Sequence, residues 1–166
     1  MTIRRILNHL ATGQWRLQRA FPQQVLAAIE QAVRDLEGQH SGEIRFAVEA
    51  ALPLAAVFGG VTPRARAIQV FSDLRVWDTE HNNGVLIYVL YADRDVEIVA
   101  DRGVAGGRVP PEQWEHCCRV MEAEFRQGRF RDGAIAGIRA VAAVLAQHPP
   151  GRPDVGNELP DAPVLL

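Results

Sequence analysis

Six residues in the middle of the 166-residue chain have the chemistry to hold a cation beside an anionic group: Asp78, Glu80, Asn83, Asp101, Arg102 and Gly103. Asp78, Glu80 and Asp101 offer carboxylates, and Asn83 offers an amide oxygen. Hard divalent cations such as Ca²⁺ or Mg²⁺ are held by several oxygens of this kind. Glu43 can add another. Arg102 offers a guanidinium able to clamp an anion, and the glycine-rich run 103–107 lets backbone N–H groups approach a phosphate. The other metal chemistry read from the sequence is less favourable. His9, His40, His81, His116 and His148 are scattered, and the consecutive His116, Cys117 and Cys118 cannot all reach one zinc ion from a helix. The basic residues are all arginine, which excludes lysine-based catalysis.

The elements that must bring these six together are read from hydrophobic patterning. Residues 85–90 (VLIYVL) form an unbroken apolar run rich in β-branched and aromatic types, suited to a central strand buried on both faces. Residues 92–94 make a short polar connection. Residues 96–101 then alternate, with Val96, Ile98 and Ala100 on one face and Glu97, Val99 and Asp101 on the other. The short link makes the pair antiparallel. Upstream, residues 43–50 alternate as a third strand, with Ile44, Phe46 and Val48 inward. Between them, Thr62-Pro63 is a helix start, with an N-cap followed by proline in the first turn. Ala67, Val70, Phe71, Leu74 and Trp77 are its expected buried stripe. Strand, helix and strand make a right-handed βαβ unit with parallel strands. Its topology gathers Ser41, Gly42, Glu43, Asn82, Asn83, Asp101, Arg102 and Gly103 at one rim of the sheet. The crossover helix runs back to that rim and delivers Asp73, Asp78 and Glu80.

Around this centre the pattern predicts a helix over residues 2–11, whose apolar positions are Ile3, Ile6, Leu7 and Leu10. It serves either as a cover laid on its own domain or as a surface for a membrane or partner. A helix opens at Phe21-Pro22 with Val25, Leu26, Ile29, Ala32, Val33 and Leu36 inward. Residues 52–61 read as a loop. Two further helices follow, one from Pro110-Pro111 and one over about 132–147. Trp15, Trp77 and Trp114 read as core or helix-docking residues, and the two cysteines as helix packing. The division expected is an N-terminal extension over 1–20, a domain over 21–147 and a Pro-rich tail over 148–166, loose or laid on the surface.

Composition is that of a soluble globular chain, and a formal net charge of −2 supplies no field for nucleic acid. No signal-peptide pattern or membrane-length apolar run is read, so a cytoplasmic location is expected. Oligomeric state is open, and an unidentified protein partner is allowed for.

Three stretches carry a family likeness: SGEIRFAVE (41–49), RVWDTEHNNGVLIYVLYADRDVEIVADRGV (75–104) and FRQGRFRDGAIAGI (125–138). Together they resemble the TPM-domain family, over roughly residues 21–147. That family takes in a thylakoid-lumen acid phosphatase, a photosystem repair protein and a nematode receptor modulator. The resemblance implies an α/β/α sandwich on a small mixed sheet. It also implies a divalent-cation site, often for calcium, in an acidic cleft on one rim, and weak phosphatase activity in some members. Asn83 matches the Asn of the family's Asp-Asn-Gly, whereas Asn82 stands where many members have Asp. Ala105 stands where many have Glu. The family's common layout includes a signal peptide and a later membrane anchor. Neither is read here, which suggests a soluble cytoplasmic subgroup. The expected function is a binding or regulatory module with a Ca²⁺ or Mg²⁺ site at Asp78, Glu80, Asn83 and Asp101, and with Arg102 and Gly103 facing a bound anion. The alternatives are a weak metal-dependent acid phosphatase on the same rim and a protein-binding module docking through the N-terminal helix.

Overall fold

The protein is described by a computed structural model over residues 3–105, 108–149 and 156–166. Thr2, Gly106, Gly107 and positions 150–155 of the tail, all invoked above, lie outside the described residues. The helices are α1 (Ile3–Ala11), α2 (Gln14–Ala20), α3 (Gln23–Glu37), α4 (Leu54–Phe58), α5 (Pro63–Asp73), α6 (Arg102–Ala105), α7 (Pro111–Arg126) and α8 (Phe130–Gln147). The strands are β1 (Glu43–Glu49), β2 (Gly84–Leu90), β3 (Asp95–Ala100) and β4 (Val164–Leu165).

The four strands form one mixed sheet in the order β3-β2-β1-β4. β1 and β2 are parallel, with Glu43 opposite Gly84 and Glu49 opposite Leu90. β2 and β3 are antiparallel, with Val85 opposite Ala100 and Leu90 opposite Asp95. Every residue of β2 is buried, as its unbroken apolar run requires of a strand covered on both faces. Ile44, Phe46, Val48, Val85, Ile87, Val89, Val96 and Ile98 form one core with α3, α7 and α8. Ala47, Leu86, Tyr88, Leu90 and Val99 form the other, with α4 and α5. The result is the expected α/β/α sandwich. Thr62 caps α5 as its sequence predicts, its hydroxyl accepting from the Ala65 N–H at 3.1 Å.

On the second face, Glu49 is a buried carboxylate with each oxygen engaged. Arg66 donates to it at 2.8 and 3.1 Å, and the Tyr88 hydroxyl donates at 2.6 Å. Burial, then the Glu49 contact, pushes the Tyr88 hydroxyl far above its ordinary value, so it stays a donor.

Four expectations change. Residues 54–58 form a short helix within what reads as a loop. Trp77 is 48% exposed and lies outside the buried stripe, because α5 ends at Asp73 and Arg75 turns the chain with a left-handed φ of 52°. α1 lays only part of its apolar stripe on the domain: Ile6 packs against the second core. Arg5 and His9 face inward: Arg5 pairs with Asp93 at 2.9 Å, and His9 Nε2 meets the other oxygen of Asp93 at 3.1 Å. His9 Nδ1 accepts the Leu52 N–H at 3.0 Å, which leaves Nε2 to carry the ring proton toward Asp93. Ile3, Leu7 and Leu10 point to solvent.

The fourth change concerns the tail. Its described part, residues 156–166, packs against the sheet, and β4 pairs in parallel with β1, Ala47 opposite Val164 and Val48 opposite Leu165. Leu159 is buried. The backbone N–H groups of Glu158 and Leu159 both donate to Glu43 Oε2 at 3.1 Å. Arg45 donates to the carbonyls of Pro160 and Ala162, and Arg34 pairs with Asp161 at 3.3 Å. A two-residue strand among prolines has no periodicity to betray it. Its partners all lie more than a hundred residues away.

Candidate functional site

The predicted rim is assembled by backbone contacts. Glu43 N–H donates to Asn83 O at 3.1 Å, and Asp101 N–H donates to Gly84 O at 2.9 Å, so the starts of β1 and β2 and the end of β3 meet. Gly103 N–H donates to Asn82 O at 2.8 Å. Two glycines permit this closeness. A Cβ on Gly84 would collide with the Val76 carbonyl, and one on Gly103 with the carbonyls of His81 and Asn82. Asn82 adopts a left-handed φ of 51°, a conformation asparagine tolerates better than most residues.

Asn83 is 3% exposed and is fixed from three sides. Its N–H donates to Thr79 Oγ1 at 3.0 Å, its carbonyl accepts from Glu43, and its side-chain Nδ2 donates to the Ser41 carbonyl. Since Ser41 O can only accept, the amide orientation is determined, and the atom left over is Oδ1. Oδ1 is buried and has no hydrogen-bond partner among the described residues. Asp101, at the end of the adjacent β3, repeats the pattern. Its Oδ1 accepts the Arg102 N–H at 2.7 Å, while its Oδ2 is buried without a partner among the described residues. A small pocket beside Asn83 is lined by Ser41, Gly42, Gly103 and His148, and His148 Nε2 is also buried without such a partner. An unsatisfied buried acceptor costs about 1–3 kcal/mol and calls for a water, ion or ligand group.

The remaining predicted residues offer no such buried oxygen. Asp78 and Glu80 lie exposed on the turn after α5. The Glu80 N–H donates to the Glu158 carboxylate at 2.9 Å, which ties that turn to the C-terminal segment. Glu43 is committed to the same segment through the bonds described above. Among the described residues, no group of three or more His, Cys, Asp or Glu side chains is placed to hold a metal ion. Arg102 is exposed and donates to Asn82 Oδ1 at 3.2 and 3.0 Å. Among the described residues its side chain pairs with this neutral amide and with no carboxylate. Ser41 is at the rim as the topology expects, whereas Thr79, which also orients Asn83, carries no signal in the sequence. A small polar residue before a strand looks like any other turn residue.

Cys117 and Cys118 are free thiols, pushed by burial up to about 11 and about 12, which fits helix packing and removes thiolate chemistry at neutral pH. Near the clasped tail, partial burial and then Asp161 raise the Glu37 carboxyl to about 7. Among the described residues, no helix is long and apolar enough to cross a membrane.

No curated protein matches the chain. Solved structures do. The NMR structure of BA42 protein from the psychrophilic bacterium Bizionia argentinensis is 31% identical, covering 86% of this chain and 93% of that one, with a TM-score of 0.74. The N-terminal domain of a P. gingivalis protein matches at 19% identity over 74% and 76% of the two chains, with a TM-score of 0.56. The N-terminal domain of cg2496 from Corynebacterium glutamicum matches at 12% identity over 82% and 81%, with a TM-score of 0.55. The last two share the fold alone. The family model of the TPM domain matches residues 17–144, and with that match the chain belongs to the TPM domain family.

Proposed function

We propose that this TPM domain is a binding module whose rim takes a hard divalent cation, Ca²⁺ or Mg²⁺, at Asn83 and Asp101. The observation that carries this reading is two buried oxygens at one rim, Asn83 Oδ1 and Asp101 Oδ2, each without a hydrogen-bond donor among the described residues. Both are acceptors, so a positive charge or a water suits them and an anion does not. One carboxylate and one amide oxygen fit an oxygen-liganded cation that keeps part of its water shell, and they do not fit zinc. Asp78 and Glu80 add negative potential nearby without offering such a buried oxygen. The ion would supply positive charge at the rim, and Arg102 and Gly103 would then face an anionic group bound beside it.

Isothermal titration of chelator-stripped protein with CaCl₂ and MgCl₂ tests the reading. Heat of binding is expected for the native chain, with loss in Asp101→Asn and weakening of at least about tenfold in Asn83→Ala, equivalent to roughly 1.4 kcal/mol. Undiminished binding in both variants would overturn the assignment. A second reading, metal-dependent phosphomonoester hydrolysis on the same rim, draws on the Arg102 guanidinium. It predicts turnover of p-nitrophenyl phosphate that requires the ion and is lost in Arg102→Gln.

A further inference from the structure

At the opposite end of the sheet from the rim, the first two helices present a surface that the fold leaves uncovered. Along α1, Ile3, Leu7 and Leu10 are 77%, 58% and 60% exposed, and Trp15 of α2 is 67% exposed. α1 lies beside α4, whose Phe58 is also exposed. The helix is held to the body by Arg5 and His9 on Asp93 and by Ile6 against the core, so Ile3, Leu7 and Leu10 are free without any rearrangement. The N-terminal segment itself is one-sided in charge, although Asp93, paired with Arg5, and Asp95 line the hollow beside it. Residues 1–29 hold four arginines and no carboxylate, although the whole chain is net acidic. Arg4, Arg16 and Arg19 are all exposed. Arg16 borders both the hollow shared by Arg4 and Asn8 and the one shared by Trp15 and Arg19.

We propose that this face docks on an anionic lipid surface, α1 lying in the interfacial plane with Ile3, Leu7, Leu10 and Trp15 immersed and Arg4, Arg16 and Arg19 at the level of the headgroups. Aliphatic residues and Trp on one side with arginine on the flank are the composition such helices use. A second copy of the chain is a poorer occupant, because a two-fold contact sets the same patch against itself and brings arginine to arginine. The N-terminal helices lie apart from the Asn83–Asp101 rim, so the docking does not depend on cation binding there.

Co-sedimentation of the full chain with vesicles of phosphatidylcholine, alone or mixed with phosphatidylglycerol, is the test. Binding is expected on the mixed vesicles and weakly or not at all on the neutral ones. Each arginine near such a surface is worth about 1 kcal/mol, so R4Q/R16Q/R19Q should lower partitioning by roughly a hundredfold. Leu7→Asp with Leu10→Asp, both at exposed positions, should abolish it with the circular dichroism spectrum unchanged. Equal binding to both vesicle types, or binding retained in the leucine double variant, would overturn the proposal. So would an absence of vesicle binding accompanied by a concentration-dependent dimer that the double variant dissolves, which would make a second copy the occupant.

Discussion

Glu49 and Asp101 are carboxylates at opposite ends of one small sheet, and the fold treats them in opposite ways. Glu49, at the end of β1, is closed: Arg66 grips it with two nitrogens and Tyr88 adds a hydroxyl. Asp101, just past β3, is open: one oxygen caps the next backbone N–H and the other is buried with no donor among the described residues. Asn83, at the start of the adjacent β2, stands in the same condition. A carboxylate with its partners supplied by the chain serves stability. One held by the backbone with an oxygen left over is the feature on which the proposed cation site rests. The contrast predicts that losing a partner of the first is costly, while neutralising the second costs the ion-free fold little.

The largest effect should come from stranding Glu49. Arg66→Met leaves a buried carboxylate without its cation, and urea unfolding should show a loss of about 3 kcal/mol. Adding Glu49→Gln should recover a good part of it. A loss confined to a few tenths would dissolve the contrast. Next, Gly103→Ala forces a methyl group against two backbone carbonyls that have no room to yield, and should lower stability by about 2–3 kcal/mol while weakening cation binding. Leu159→Ala should cost about 2 kcal/mol if the C-terminal segment is an integral edge of the sheet. A neutral outcome would mean that β4 is dispensable.

Asp95 sharpens the comparison through pH. Burial, then Glu97, Glu122 and Asp93, raise its carboxyl to about 6 from an ordinary 3.8. The folded state therefore holds the proton more tightly than the unfolded chain. This contribution to stability is full below about 3.8 and is lost as pH rises through about 6. Asp95→Asn should accordingly stabilise the protein at pH 8 by about 1 kcal/mol, with the advantage vanishing near pH 4. A variant no more stable than the native chain at pH 8 would show that Asp95 is solvated instead of strained.

Much of this architecture is legible in the residues. The apolar run of β2, the alternation of β1 and β3 and the Thr62-Pro63 helix start suffice to place Asn83, Asp101, Arg102 and Gly103 at one rim. What patterning does not carry is direction and distance. The turn after α5 passes through left-handed residues at Arg75 and Asn82, and it leaves Asp78 and Glu80 in solvent despite their nearness in sequence. The stripe on α1 is plain as periodicity, but whether it faces inward is decided by Asp93, more than eighty residues away. β4 is two residues long, and the side chains that clasp its segment, Glu43, Arg45 and Arg34, look in sequence like ordinary outward-facing charges.

The most direct test of the open-carboxylate account is thermal unfolding of the native chain and Asp101→Asn, each stripped with chelator and then given excess Ca²⁺ or Mg²⁺. Without the ion, the variant should unfold at or slightly above the native midpoint, since it removes an unsatisfied charge. With ion at about a hundred times the dissociation constant, the native chain should gain about 2.7 kcal/mol, a rise of roughly 5–10 °C, and the variant none. An equal rise in both proteins, or none in either, would contradict the claim that Asp101 is held open for a cation.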